Sequence, residues 1–343
     1  MKQHLTLSAR VALIAAGLFG AALPALAQST SNVTLYGLID VYAQRGKGND
    51  TSYALQSGGL NGSRLGVRGT EDLGDGLSAF FTMEHGIAAD TGGVTQGGVF
   101  WGRQIFVGIG HKDFGAISAG RPYTPHFFSS DANDIFGTGA GSGYASGVLT
   151  TVFRADNAVT YELPKIGGVL GGSVMQTAGE GSPKVFSAHL RYADGPVGVS
   201  VSVLQRDTVE KLKIATLAGS YDFKVVKLVA GFQTVKNLTG AAGASDDRRE
   251  YWAQAQVPVG VQGTVNLGLA QASARGVANK DARQLSAAYI HALSKRTSIY
   301  AVYSTIANDA LTAYTTAAAT GAGPAVSAGK DASALTFGVR HRF

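Results

Sequence analysis

Most of this chain beyond its first thirty residues is written with a period of two, broken into short segments by turns. At 197–203, Val197, Val199, Val201 and Val203 alternate with Gly198, Ser200 and Ser202. At 261–271, Val261, Val265, Leu267 and Leu269 alternate with Gln262, Thr264, Asn266 and Ala270. At 33–42, Val33, Leu35, Ile39 and Val41 oppose Thr34, Tyr36, Asp40 and Tyr42. In 64–72, Leu65 and Val67 face away from Arg64, Arg68, Thr70 and Asp72. Such alternation makes strands with one apolar and one polar face. Segment 103–109 reads in either register.

The connections narrow the choice further. Short turns fall near 73–76, 112–115, 164–168, 193–196, 222–224, 258–260 and 294–296. Between them lie longer polar or Gly-rich stretches near 46–60, 88–98, 122–152, 177–184, 206–211, 236–248, 274–281 and 306–332. This alternation predicts about sixteen antiparallel strands with short turns at one end and long loops at the other, the pattern of an outer-membrane β-barrel. A soluble sandwich has no reason to sort its connections by length. In lipid, a closed barrel turns apolar residues outward and leaves no strand edge unpaired. The fold class expected is therefore all-β, a transmembrane antiparallel barrel. The last segment fits as its closing strand: Leu335, Phe337, Val339, His341 and Phe343 share one face, opposite Thr336, Gly338, Arg340 and Arg342. Tyr36, Phe81, Tyr161, Tyr192, Phe223 and Tyr289, near strand ends, are candidates for the aromatic girdles.

The first residues read as an export signal. Lys2 and Arg10 precede or border the apolar run 11–19, and Ala25-Leu26-Ala27 is a small-residue cleavage site. The expected organisation is a cleaved segment 1–27 followed by a barrel domain, 28–343. Residues 1–27 hold Lys2 and Arg10 but no acid, so the remainder carries 27 basic against 23 acidic side chains, a balance of +4. These charges are dispersed singly, which argues against a nucleic-acid partner. With no cysteine, neither a disulfide scaffold nor a cysteine metal site is available, and nothing calls for a cofactor.

One stretch departs from the rhythm. Residues 121–154 lack a strand period, contain Gly137, Gly139, Gly141, Gly143 and Gly147, and carry only Asp131 and Asp134 as acids. So long an irregular connection, about 122–152, is expected to have a function. Its backbone polar groups need water or protein partners, on the surface or inside a water-filled lumen.

The segments VTLYGLIDVY at 33–42, SRLGVRGTEDLGDGLSAFFTMEH at 63–85, RQIFVGIGHKDFGAISAGRPY at 103–123, FRADNAVTYELP at 153–164, LSKRTSIYAVY at 293–303 and GVRHRF at the end resemble the general, trimeric porins of the Gram-negative outer membrane, particularly the beta-proteobacterial branch. The resemblance implies a homotrimer in lipid, each subunit a water-filled channel for ions and small hydrophilic solutes. It also implies that the third external loop folds inward, where wall arginines face its acids. Carried over, the wall residues are Arg64 or Arg68 in strand 2, Arg103 at the start of strand 4 and Arg154 at the start of strand 6, with Asp131 and Asp134 opposite. Alternation independently places Arg154 with Asp156, Thr160 and Glu162, and Arg121 at the loop's root is a further candidate. Leu38 stands where some relatives place a basic residue, and the loop lacks the acidic run of cation-preferring ones.

The function expected is passive diffusion with mild anion preference. A channel specific for carboxylates or phosphates is the alternative, since arginines can hold either bidentately. A surface adhesin using loops such as 306–332 is a third. Catalysis is not expected: His85, His126, His189 and His291 lie in different segments and no nucleophile motif accompanies them.

Overall fold

The computed structural model describes residues 32–243 and 246–343, so the expected signal segment lies outside the described residues. The barrel strands are β1 (Asn32–Lys47), β2 in two stretches (Thr51–Ser57 and Arg64–Gly74), β3 (Leu77–Ala88), β4 (Gln104–His111), β5 (Gly115–Arg121), β6 (Ala158–Glu162), β7 (Leu170–Thr177) and β8 (Val185–Asp194). They continue as β9 (Val197–Arg206), β10 (Leu212–Asp222), β11 (Lys227–Lys236), β12 (Arg248–Val259), β13 (Gly263–Ala274), β14 (Ala282–Ala292), β15 (Thr297–Asn308) and β16 (Ala332–Arg342). Each pairs antiparallel with its sequence neighbours, and β1 pairs with β16 from Leu38↔Arg342 to Lys47↔Ser333, closing the barrel.

Closure extends one residue past β16. Gly37 and Phe343 exchange backbone hydrogen bonds of 3.0 and 3.1 Å. The Phe343 ring lies over Gly37 so closely that a Cβ there would sit 2.2 Å from it.

The alternation in β9 shows how sequence becomes wall. Val199, Val201 and Val203 are each more than 40% exposed on the outer surface, whereas Ser200 and Ser202 are buried within. A closed sheet with aliphatic residues outside and hydroxyls inside suits lipid outside and water or polar packing inside. Among the described residues no helix is long and apolar enough to cross a membrane. Tyr161, Tyr192, Phe223 and Tyr289 stand exposed near the short turns, as expected of a girdle. Tyr36 does not: its hydroxyl donates to Glu84 Oε2 at 3.0 Å, within the barrel.

The stretch read as a polar or Gly-rich connection at 46–60 is partly strand. Thr51–Ser57 pairs with the upper half of β1, turning Tyr53 and Leu55 outward, and Arg64–Gly74 pairs with its lower half. Flanking Gly48, Asn49, Gly58 and Gly59 had masked that short alternation. Residues 58–63 leave the sheet between the two stretches. Asp40 holds them from β1: its Oδ2 accepts from the Leu60 and Asn61 amides, both at 3.0 Å, and its Oδ1 accepts from the Tyr300 hydroxyl at 2.5 Å.

Candidate pore constriction

The connection from Arg121 to Ala158 enters the barrel. It contains two short helices that its weak periodicity had concealed, α1 (Pro125–Ala132) and α2 (Gly143–Ser146). Thr124 caps α1 by accepting from the Phe127 amide, with Pro125 in the first turn, and Ser142 caps α2 through the Tyr144 amide. Both are ordinary start signals.

Polar lumen residues of β8 to β14 fasten this loop to one side of the barrel. The His126 amide donates to Ser187 Oγ at 3.0 Å and its Nδ1 lies 3.0 Å from Ser202 Oγ. Asn133 donates to Ser200 at 2.6 Å and receives Trp252 Nε1 on its carbonyl at 2.9 Å. Gln254 accepts from the Ile135 amide at 2.8 Å, and Asn266 donates to the Ile135 carbonyl at 3.0 Å. Further along, Gln284 donates to the Gly141 carbonyl at 2.9 Å, and Glu250 accepts from the Thr150 amide at 2.7 Å. Glu250 is itself fully enclosed, paired with Arg248. Backbone groups that would otherwise lack partners are thus satisfied by the wall, and the loop is pinned against it.

On the side of the barrel formed by β2 and β3 the loop leaves space. There Arg64, Arg103, Tyr123, Asp131 and Arg154 line a cavity of about 280 Å³ together with residues of the 58–63 excursion. Glu84, on the lumen face of β3, organises the arginines: Arg103 Nε donates to it at 2.7 Å and Arg64 Nη1 lies 3.8 Å away. The Tyr123 hydroxyl accepts from Arg103 at 2.6 Å and from Arg154 at 2.7 Å. The Arg154 guanidinium also lies 4.3 Å from the centre of the Tyr123 ring. Like charges are held together because a phenol oxygen and a carboxylate stand between them.

Leu60 and Gly139 bring the excursion against the loop, where a Cβ on Gly139 would meet the Leu60 carbonyl at 2.2 Å. The Gly59 carbonyl accepts from Ala140 at 2.8 Å and from Ala319 at 3.3 Å. Ala319 belongs to the last long loop and also lines the cavity. That loop, which the sequence singled out only under the adhesin alternative, therefore lines part of the cavity.

A family model described as a Gram-negative porin matches residues 11–312. The chain belongs to this porin family. It is 32% identical to the outer membrane porin protein 32 of Delftia acidovorans over 96% of this chain and 99% of that one. It is 31% identical to an outer membrane porin protein of Bordetella pertussis over 68% of this chain and 70% of that one. Among solved structures, the anion-selective porin from Comamonas acidovorans superposes with a TM-score of 0.80 at 27% identity, covering 91% of this chain and 100% of that one. The protein is an outer-membrane channel and not an enzyme.

Within this porin the sequence-derived candidates separate. Arg64, Arg103, Arg154 and Asp131 share the aperture cavity. Arg68, the alternative to Arg64, points at Tyr36, 5.2 Å from its ring centre, and is not part of that cavity. Arg121 pairs with Asp156 and donates to the Gly102 carbonyl at 3.0 Å. Asp134 requires a correction: its oxygens accept from the Phe136 and Thr138 amides, Ser142 Oγ and Gln254 Nε2 at 2.5 to 3.1 Å. It is a buried fastener of the loop, since a short carboxylate just past a helix end is well placed to take nearby amides.

Arg103 directly precedes β4, at the start expected of it, whereas Arg154 lies four residues ahead of β6. Arg103 lies in the bend before β4, whose Ile105, Val107 and Ile109 face outward. Arg154 makes an isolated bridge with Tyr123, and Asn157, with φ of 54°, breaks the alternation before β6 begins. Glu84 and Tyr123 were missed. Glu84 was legible as an inward residue two beyond Thr82, but only tertiary structure brings Tyr123 between two arginines.

Proposed function

We propose that this porin passes small hydrophilic solutes by passive diffusion with a mild preference for anions, and that Arg64, Arg103 and Arg154 create that preference. The observation that carries the reading is the composition of the aperture: three guanidiniums against the carboxylates of Glu84 and Asp131, with Asp134 consumed inside the loop. In a narrow, weakly screened passage such an excess raises the local concentration of anions and orders water across the gap. The anion selectivity of the Comamonas acidovorans porin supports the same sign.

The test is the reversal potential of the refolded protein in a planar bilayer under a KCl gradient, beside Arg154→Gln. An anion-directed potential that weakens in the variant agrees with the reading; cation preference, or no change in the variant, refutes it.

Assembly as a homotrimer and removal of residues 1–27 belong to the same proposal. Family membership supports the first, as does an apolar depression on the outer surface formed by Val41, Ala43, Leu55, Ile299 and Phe337. Native mass of the detergent-extracted protein tests it. The cleavage site after Ala27 supports the second, and an N-terminus beginning at Gln28 in the outer-membrane protein would agree with it.

A further inference from the structure

Charge is only half of the aperture's lining. Tyr123, Phe127, Phe128 and Phe153 share the cavity with the three arginines. Tyr123 stacks on Phe127 with centroids 4.4 Å apart and planes at 21°, and Phe153 lies 5.2 Å from Phe127. Phe128 meets Tyr123 edge-on at 6.0 Å and 70°. Tyr123 and Phe127 are buried, but Phe128 is 41% exposed. It also lines the next cavity, of about 630 Å³, toward the short turns, and only Asp131 shares that double position.

An aromatic ring left partly exposed in an arginine-lined cavity keeps apolar surface in contact with water, and a flat apolar group passing it would remove that surface from water. Beside it are donors suited to a carboxylate. Arg103 is committed to Glu84 and Tyr123, whereas Arg154 gives Tyr123 only its Nη2. Arg64 keeps a longer, looser contact of 3.8 Å with Glu84. The space of about 280 Å³ exceeds the roughly 150 Å³ that accommodates a benzene molecule, leaving room for one ring and its carboxylate.

We propose that the constriction favours aryl carboxylates over aliphatic carboxylates of the same charge. The carboxylate is held by Arg154 and Arg64 while the ring lies against Phe128. This rests on the anion reading above and names the class of anion. No bond is made or broken; the site slows and concentrates such solutes at the aperture.

The experiment measures block of the chloride current through the refolded channel by benzoate and by cyclohexanecarboxylate, two probes of like charge and similar size. Wild type, Phe128→Leu and Phe128→Tyr are compared, and the KCl reversal potential is recorded for each. In wild type, benzoate blocks at a concentration about fivefold lower than cyclohexanecarboxylate, as one ring–ring contact is worth. The ratio falls to near one in Phe128→Leu and survives in Phe128→Tyr. Equal block by both probes in wild type, or a ratio that survives Phe128→Leu, overturns the proposal. A cation-directed potential in wild type overturns the anion reading and this inference with it, whereas an anion-directed potential without benzoate preference overturns this inference alone.

Discussion

Nε of Arg103 lies 2.7 Å from Oε1 of Glu84, and both side chains are buried where the barrel wall meets the aperture. In the constriction we propose, this pair sets the charge balance, because Glu84 contacts both Arg64 and Arg103 and cancels part of their field. Removing one member of an enclosed pair leaves the other without a counter-charge, at a cost of about 3 kcal/mol or more where water cannot reach it.

Glu84→Gln is therefore expected to act twice. The reversal potential under a KCl gradient moves further in the anion direction, and the thermal midpoint of the folded barrel falls. Arg103→Gln moves selectivity the opposite way. A shift of both variants in one direction would disconnect the pair from selectivity.

The two loop acids should behave differently although they are three residues apart. Asp131→Asn raises anion preference and leaves the melting temperature nearly unchanged. Asp134→Ala loses four hydrogen bonds, each worth about 1 kcal/mol, so current noise from a loosened loop increases and thermal stability drops. Identical behaviour of the two variants in conductance recordings and melting curves would contradict the assignment.

Selectivity should also depend on pH through Asp131. Crowding by the surrounding protein raises its carboxyl above the ordinary value of about 3.9, the Asp134 charge adds to that direction and Arg64 opposes it. As pH falls through this raised value the loop loses a negative charge, so anion preference grows at a pH where an ordinary carboxylate would still be ionised. Asp131→Asn flattens the response, measured as reversal potential against pH.

His126 makes the loop's attachment acid-sensitive. Burial lowers its pKa to about 4, below the roughly 6.5 of an unfolded histidine. The unfolded chain then binds the extra proton first, so the contribution to stability is complete above about pH 6.5 and is lost progressively as pH falls toward 4. Urea titration of the barrel in lipid vesicles should show a falling midpoint across that window. His126→Gln should show a smaller fall.

The last long loop is expected to narrow the channel without setting its sign. Thr320 donates its amide to the Gly58 carbonyl at 3.2 Å and its hydroxyl to the Ser57 carbonyl at 2.9 Å. Excising residues 317–322 should raise single-channel conductance while the reversal potential stays anion-directed. Unchanged conductance would place this loop outside the path.

The strands were legible because alternation and turn spacing are local: Val199, Val201 and Val203 declare an outer face without knowledge of any other strand. The separation of Asp131 from Asp134 was not, because it depends on Gln254, 120 residues from Asp134, reaching the loop. The same holds for Asn266, which the alternation placed on a polar face without showing that it holds the loop, and for Ser187 and Gln284, whose role only tertiary structure reveals. Thr124-Pro125 did carry a local helix signal, obscured by the short length and weak amphipathic character of α1. Tyr123 could not be identified from spacing, since the arginines it joins lie 20 and 31 residues away on opposite sides.

The most direct measurement of the central claim is the chloride-to-potassium permeability ratio of wild type and of the Arg64→Gln/Arg154→Gln double variant, in planar bilayers at neutral pH. An arginine-built constriction predicts a ratio above one in wild type that falls to one or below in the variant, with channels still open. A ratio unaffected by removing both guanidiniums would contradict it.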